Sequence, residues 1–171
     1  FHYNFNDVWF TIVMAALNVV LLFLVLQALA KTGLSARSVR ENAILSLVFG
    51  FGTVHFFSAV RGEVWFTALI VGVTLNLAFI WAALDTRRPF LAGVFLALGI
   101  ATRTPIAFCV PFFGLQLLFP GGLWNGAPFA TKVKKGLLFA APVLVVGGLL
   151  MVYNDARFGN PFEFGHTFLM E

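Results

Sequence analysis

Apolar positions in this chain come in continuous runs, not in stripes. Six runs are separated by short polar breaks: Val8 to Ala30, Ala43 to Val60, Val64 to Leu84, Phe90 to Thr102, Ile106 to Phe119 and Gly136 to Tyr153. A run of about 20 apolar residues is the length of a helix that crosses a bilayer. A core helix of a soluble protein would carry a polar face instead. The pattern therefore predicts an all-α fold, a multi-span transmembrane helical bundle with about six membrane segments, forming a single membrane domain over residues 1–171. The fourth and fifth runs are short. At 1.5 Å per residue they reach only about 20 Å, against a hydrocarbon core of about 30 Å. We read them as two short helices broken at Arg103-Thr104-Pro105. One kinked helix from Phe90 to Phe119 would bury Arg103 near the bilayer centre, where a cation is costly.

Composition agrees with the pattern. The chain is 60% hydrophobic and 11% charged, with a mean hydropathy of +0.94. Soluble domains carry about 25% charged residues, so neither a soluble domain nor a disordered chain fits. Phe supplies 22 of the aromatic residues, as suits a lipid-facing surface. The charges add orientation. Lys31, Arg37 and Arg40 follow the first run, Arg87 and Arg88 the third, and Lys132, Lys134 and Lys135 the fifth. These alternate loops should face the cytoplasm, which turns both ends of the chain outward. A nucleic-acid partner is not expected, because no basic stripe lies on a soluble fold. The single Cys109 excludes an intrachain disulfide. The chain opens on Phe1-His2-Tyr3-Asn4-Phe5-Asn6-Asp7 with no signal-peptide pattern, and we expect an internal fragment of a longer membrane protein.

One echo is internal. Asp7-Val8-Trp9-Phe10-Thr11 recurs as Glu63-Val64-Trp65-Phe66-Thr67, 56 residues later. An acid at a helix N-terminus followed by an interfacial aromatic pair explains both copies; a true duplication is the other reading. Trp81 and Trp124 are the expected inner anchors.

On this topology the unusual polar residues gather at the outer face: His55, Arg61, Glu63, Arg103, Asp155, Arg157, Glu163 and His166. Arg103 is the sharpest of them. A guanidinium suits a phosphate, which it can hold through two parallel hydrogen bonds. The other readings of Arg103 are snorkelling to the headgroups and a structural pair with Glu63. Arg61 is a candidate second cation beside Arg103, or a solvated turn residue next to Glu63. His55 reads more readily as a packed, hydrogen-bonded residue than as a ligand. No metal site is expected, since no His/Cys/Asp/Glu cluster has ligand spacing. No phosphate-loop glycine motif occurs either, and no cofactor is implied.

The string Arg157-Phe158-Gly159-Asn160-Pro161-Phe162-Glu163-Phe164-Gly165 after a terminal span resembles the multi-pass GT-C glycosyltransferases, in their protein-mannosyltransferase and aminoarabinose-transferase-like branch. Arg61-Gly62-Glu63-Val64-Trp65-Phe66 opening a span is similar to that branch, as is the Thr102-Arg103-Thr104-Pro105 break, where Thr104 stands in place of the expected Pro or Gly. The resemblance covers essentially the whole chain as the middle of a membrane core. It implies a polyprenyl-phosphate-linked sugar donor in the membrane lipid, transfer on the non-cytoplasmic face, and a bacterial inner (plasma) membrane location. It also implies a catalytic Asp or Glu after the family's first span. No residue here matches that motif: Asp7 precedes a span. The base is expected upstream and the chain alone is expected to be inactive. Arg103 and Arg61 are then the donor-phosphate candidates, with Glu63, His55, Asp155 and Arg157 as further outer-face candidates. The alternative reading is part of a multi-pass transporter or lipid flippase.

Overall fold

The first helix starts where the sequence supplies a cap: the Asn6 side chain accepts from Val8 N at 3.0 Å, and Asp7 and Lys31 sit at the ends that suit their charges. The computed structural model describes residues 6–119 and 126–163, and every regular element among them is helical. Trp124 and His166 lie outside these residues. α1 spans Asp7–Lys31. α2, Val39–Gly52, opens on a capping box between Ser38 and Glu41. α3, Val54–Ala59, follows after one extended residue. Then come α4 (Val64–Ala83), a 3₁₀ turn (Leu84–Thr86), α5 (Pro89–Thr102), a second 3₁₀ segment (Thr104–Cys109), α6 (Val110–Leu118) and α7 (Phe129–Phe158). Three helical stretches, α1, Val64–Thr86 and α7, are long and apolar enough to cross a membrane, and the Pro89–Thr102 and Thr104–Leu118 stretches are shorter apolar ones.

The predicted all-α membrane bundle is therefore present, with three local differences. The second run is broken at Thr53, whose backbone is extended at φ −126° and ψ 177°. Its hydroxyl donates to the Phe49 carbonyl at 2.7 Å and accepts from His55 N at 3.2 Å, so a single side chain caps both sides of the break. The fifth run begins as 3₁₀ at Thr104. The sixth run extends at both ends. Lys132, Lys134 and Lys135 occupy the first turns of α7 instead of a loop, and Asp155 and Arg157 its last turn instead of a tail. Lysine and alanine are good helix formers, so the helix continues past its apolar stretch until Gly159, at φ 68°, ends it.

α1 and α4 run side by side in the same direction. Thr11 and Thr67, the matching residues of the sequence echo, bring their hydroxyl oxygens to 2.7 Å. Deeper along the pair, Asn18 Nδ2 donates to the Ile70 carbonyl at 3.0 Å. α2 packs back along α1, α5 back along α4, and α7 along α5. The main core is Phe79, Ala82, Ala92, Leu96, Phe113 and Phe139, where α4, α5, α6 and α7 meet. Phe113 and Phe139 stack with centroids 4.0 Å apart and planes 8° from parallel. At the α5–α7 crossing Gly93 has no room for a side chain: a Cβ there would lie 2.6 Å from Pro142 Cγ and would overlap the Phe139 carbonyl oxygen.

The two hairpins repeat a plan. α2 has 14 residues, then the extended Thr53, then six helical residues. α5 also has 14 residues, then the extended Arg103, then six 3₁₀ residues. Each follows a long helix of the parallel α1–α4 pair.

Candidate functional site

α5 is too short to run the length of α4, so its end and the following turn pack against the middle of α4. The ninth residue of α4, Gly72, faces both Arg103 and Ile106: a Cβ there would lie 3.4 Å from Arg103 Cγ and 3.4 Å from Ile106 Cδ1. Gly99 of α5 meets Ile106 in the same way. α6 then returns toward the end where α5 began, and Gln116 Oε1 there accepts from Asp85 N at 3.0 Å. The chain from Pro89 to Leu118 is thus a hairpin of two short helices, not one kinked span. At its turn Arg103 and Ile106 pack on Gly72, while Thr104, Pro105 and Phe108 are exposed.

This turn shapes an open groove of about 310 Å³ lined by Leu69, Val73, Asn76, Arg103, Ile106 and Cys109, among others. Arg103 is half-buried, with φ −147° and ψ 106°, and its backbone N–H donates to the Gly99 carbonyl at 2.8 Å. Its guanidinium has no hydrogen bond and no ion pair among the described residues. One turn along α4 from Gly72, the buried Asn76 Oδ1 also has no hydrogen-bond partner among them. The groove therefore combines apolar walls with two uncommitted polar groups. It could hold an amphiphile that carries an anion.

The other candidates are elsewhere. Arg61 and Glu63 pair with each other at 3.3 Å, both well exposed. Arg61 also lies over the Phe57 ring at 4.6 Å and near the Phe66 ring at 5.9 Å. The expected alternatives of an Arg103–Glu63 pair, or of Arg61 beside Arg103, do not form. Arg61 stands just before α4, and Gly72 lies about 12 Å farther along that helix at 1.5 Å per residue. Arg103 is accordingly about two turns of α4 away from Arg61 and Glu63.

His55 is buried at the other break, where the imidazole packs on Phe49 with centroids 4.4 Å apart. Asn18 Nδ2 donates to its Nε2 at 3.2 Å, which leaves the ring proton on Nδ1. This is the packed, hydrogen-bonded histidine that the sequence suggested. Asp155 and Arg157 are exposed on α7; Arg157 donates to Tyr153 Oη at 3.2 Å and stacks on Phe158 at 5.0 Å. Asn154 beside them is buried and donates to the Pro161 carbonyl at 3.4 Å. Among the described residues no three His, Cys, Asp or Glu side chains group as metal ligands.

The sequence reading missed Asn76 and Asn18. Each is an amide inside a long apolar run, which is the same signal that singled out Arg103. Compared with known protein families, with curated proteins and with solved structures, the chain matches none.

Proposed function

We propose that this chain is the membrane core of a glycosyltransferase that moves a sugar from a polyprenyl-phosphate donor to an acceptor on the non-cytoplasmic face of a bacterial plasma membrane. The observation that carries the reading is Arg103: a guanidinium in an apolar groove that no anion among the described residues pairs with. A cation at membrane depth costs about 2.5–3.5 kcal/mol on insertion scales, and a bound lipid phosphate would offset that cost. The sequence resemblance at Arg61–Phe66, Thr102–Pro105 and Arg157–Gly165 supports the same assignment. In the reaction the acceptor hydroxyl attacks the anomeric carbon. The bond from that carbon to the phosphate oxygen breaks, and the lipid phosphate leaves. A carboxylate base outside the residues assigned here takes the acceptor proton. Arg103 stabilises the charge that develops on the departing phosphate. Arg61, already held by Glu63 and two aromatic rings, stays outside this site.

The depth of Arg103 along α4 supports a second reading, since transporters and flippases place ionisable groups at broken helices well inside the bilayer. Full-length protein reconstituted in liposomes with a labelled polyprenyl-phosphate sugar separates the two. Transfer of the label to acceptor, with none of the donor crossing leaflets, supports the transferase. Movement of the donor between leaflets without transfer supports the flippase. Topology has its own test. In a Cys109→Ser background, Asn160→Cys in intact cells should react with an impermeant thiol reagent and Ser38→Cys should not; labelling at Ser38→Cys would overturn the orientation.

A further inference from the structure

The end of the bundle opposite Arg61 and Asn160 carries a second feature, independent of the proposed activity. Lys31 closes α1, Arg37 precedes α2 and Arg40 lies in its first turn, Arg87 and Arg88 join α4 to α5, and Lys132, Lys134 and Lys135 lie in the first turns of α7. These sites are at one end in space: Lys135 Nζ donates to Thr86 Oγ1 at 2.7 Å, and Ala28 and Thr32 of the α1 end share a cavity with Trp81, Arg87 and Arg88. The two acids there are already occupied. Glu41 bonds Ser38 in its capping box, and Asp85 pairs with Arg87 at 3.2 Å.

The shared cavity measures about 90 Å³, the space of about three waters. Arg88 lies over the Trp81 indole at 4.2 Å. That contact holds the exposed Arg88 cation over the ring face, and no side-chain hydrogen bond or ion pair engages its N–H groups among the described residues. The Arg87–Asp85 pair forms part of the same wall, so one carboxylate lines the cavity beside the two guanidinium groups. Trp81 also marks the level at which indoles settle, the junction of hydrocarbon and headgroups. A phosphate held there would keep its acyl chains along the apolar surface below.

We infer that the cavity between the end of α1 and the α4–α5 turn is a seat for the phosphate of an anionic phospholipid, held by Arg88 with Arg87 beside it. Excess positive charge alone would attract such lipids over the whole end of the bundle. A built seat concentrates the effect on one guanidinium.

The test is native mass spectrometry of the full chain, released from nanodiscs of mixed phosphatidylglycerol and phosphatidylcholine, counting retained lipids. Wild type should keep phosphatidylglycerol in preference to phosphatidylcholine. Arg88→Gln should weaken that retention about tenfold, and Arg88→Lys, with the charge but not the planar group, should fall between. Arg40→Gln and Lys134→Gln remove exposed cations away from the cavity and should change it by about twofold or less. Asp85→Asn should strengthen retention. Equal losses for Arg88→Gln, Arg40→Gln and Lys134→Gln would reduce the seat to bulk attraction and overturn the proposal. So would millimolar inorganic phosphate displacing the lipid, which would mark a site for a soluble anion. Melting of each variant in phosphatidylcholine alone confirms that it is folded before its lipids are counted.

Discussion

Replacing Gly93 by alanine should break the joint on which the α5–α7 half of the bundle depends. The added Cβ would lie 2.6 Å from Pro142 Cγ and 3.0 Å from the Phe139 carbonyl carbon, and would overlap the carbonyl oxygen itself. Carbon atoms in contact prefer about 3.5–4.0 Å, so the two backbones must separate by about 1 Å. Neither obstacle is a flexible side-chain end: one is backbone and the other a proline ring inside a helix. Overpacking of this kind costs about 1–3 kcal/mol. Separation also moves Phe139 away from Phe113, whose stacked ring lies 4.0 Å away; such a pair contributes about 0.5–1.5 kcal/mol beyond its buried area. The expected loss is about 2–4 kcal/mol. Gly147, also on α7, has nothing within 4 Å of the corresponding position, so Gly147→Ala should change stability by about 1 kcal/mol or less. Denaturant unfolding in mixed micelles, followed by circular dichroism, measures both. Gly93→Ala unfolding together with wild type, or Gly147→Ala falling as far, would refute the close crossing.

Three further outcomes follow from the same contacts. Thr11 donates to the Asp7 carbonyl at 2.7 Å, so Thr67 is the donor in the Thr11–Thr67 bond; a double-mutant cycle with Thr11→Val and Thr67→Val should give a coupling of about 0.6 kcal/mol, and zero coupling would separate α1 from α4 at this level. Asn18→Leu leaves the buried His55 Nε2 without its donor, while the Ile70 carbonyl keeps the Thr74 hydroxyl, and should cost about 1–3 kcal/mol in the same unfolding assay; a neutral result would mean that the amide does not brace the break. The Glu41 carboxyl is held below the usual carboxylate range, first by the Ser38 backbone N–H, then by the Ser38 hydroxyl and by nearby Arg37. Because its folded pKa is depressed, the stability it adds is present above the ordinary value of 4.5 and is lost as pH falls through the lowered one. A carboxyl titration by NMR should place Glu41 below 4.5, and Ser38→Ala should raise it only part of the way back, because the backbone N–H of residue 38 and Arg37 remain; no change on Ser38→Ala would remove the hydroxyl from the account.

The spans were legible because burial in a bilayer needs only an unbroken apolar run, and α1 and α4 fall within a residue or two of their runs. The break at Thr53 was not. Nothing in Gly52-Thr53-Val54 interrupts the apolar pattern, and the Thr53 hydroxyl satisfies both helix ends locally without a proline. The lysines before Gly136 read as loop because charge marks the edge of the membrane, yet charge does not end a helix. In the site, Arg103 was legible as the one cation in a long apolar stretch. Its partners were not, because its depth depends on how far α5 climbs before it turns, and that is set by the fit of Ile106 against Gly72 and Gly99. The same depth separates Arg103 from Arg61, although both lie at turns that a loop diagram draws on one side.

Arg103, which has no ion pair among the described residues, is proposed to serve a lipid phosphate and not the fold. Donor KM and kcat of full-length Arg103→Ala, measured on protein shown to be folded, test it most directly. A charge-assisted bond to phosphate contributes about 1.5–3 kcal/mol, so transfer efficiency should fall roughly 10- to 100-fold, with Arg103→Lys between the two. Unchanged kinetics in the folded Arg103→Ala protein, whatever its stability, would contradict the claim.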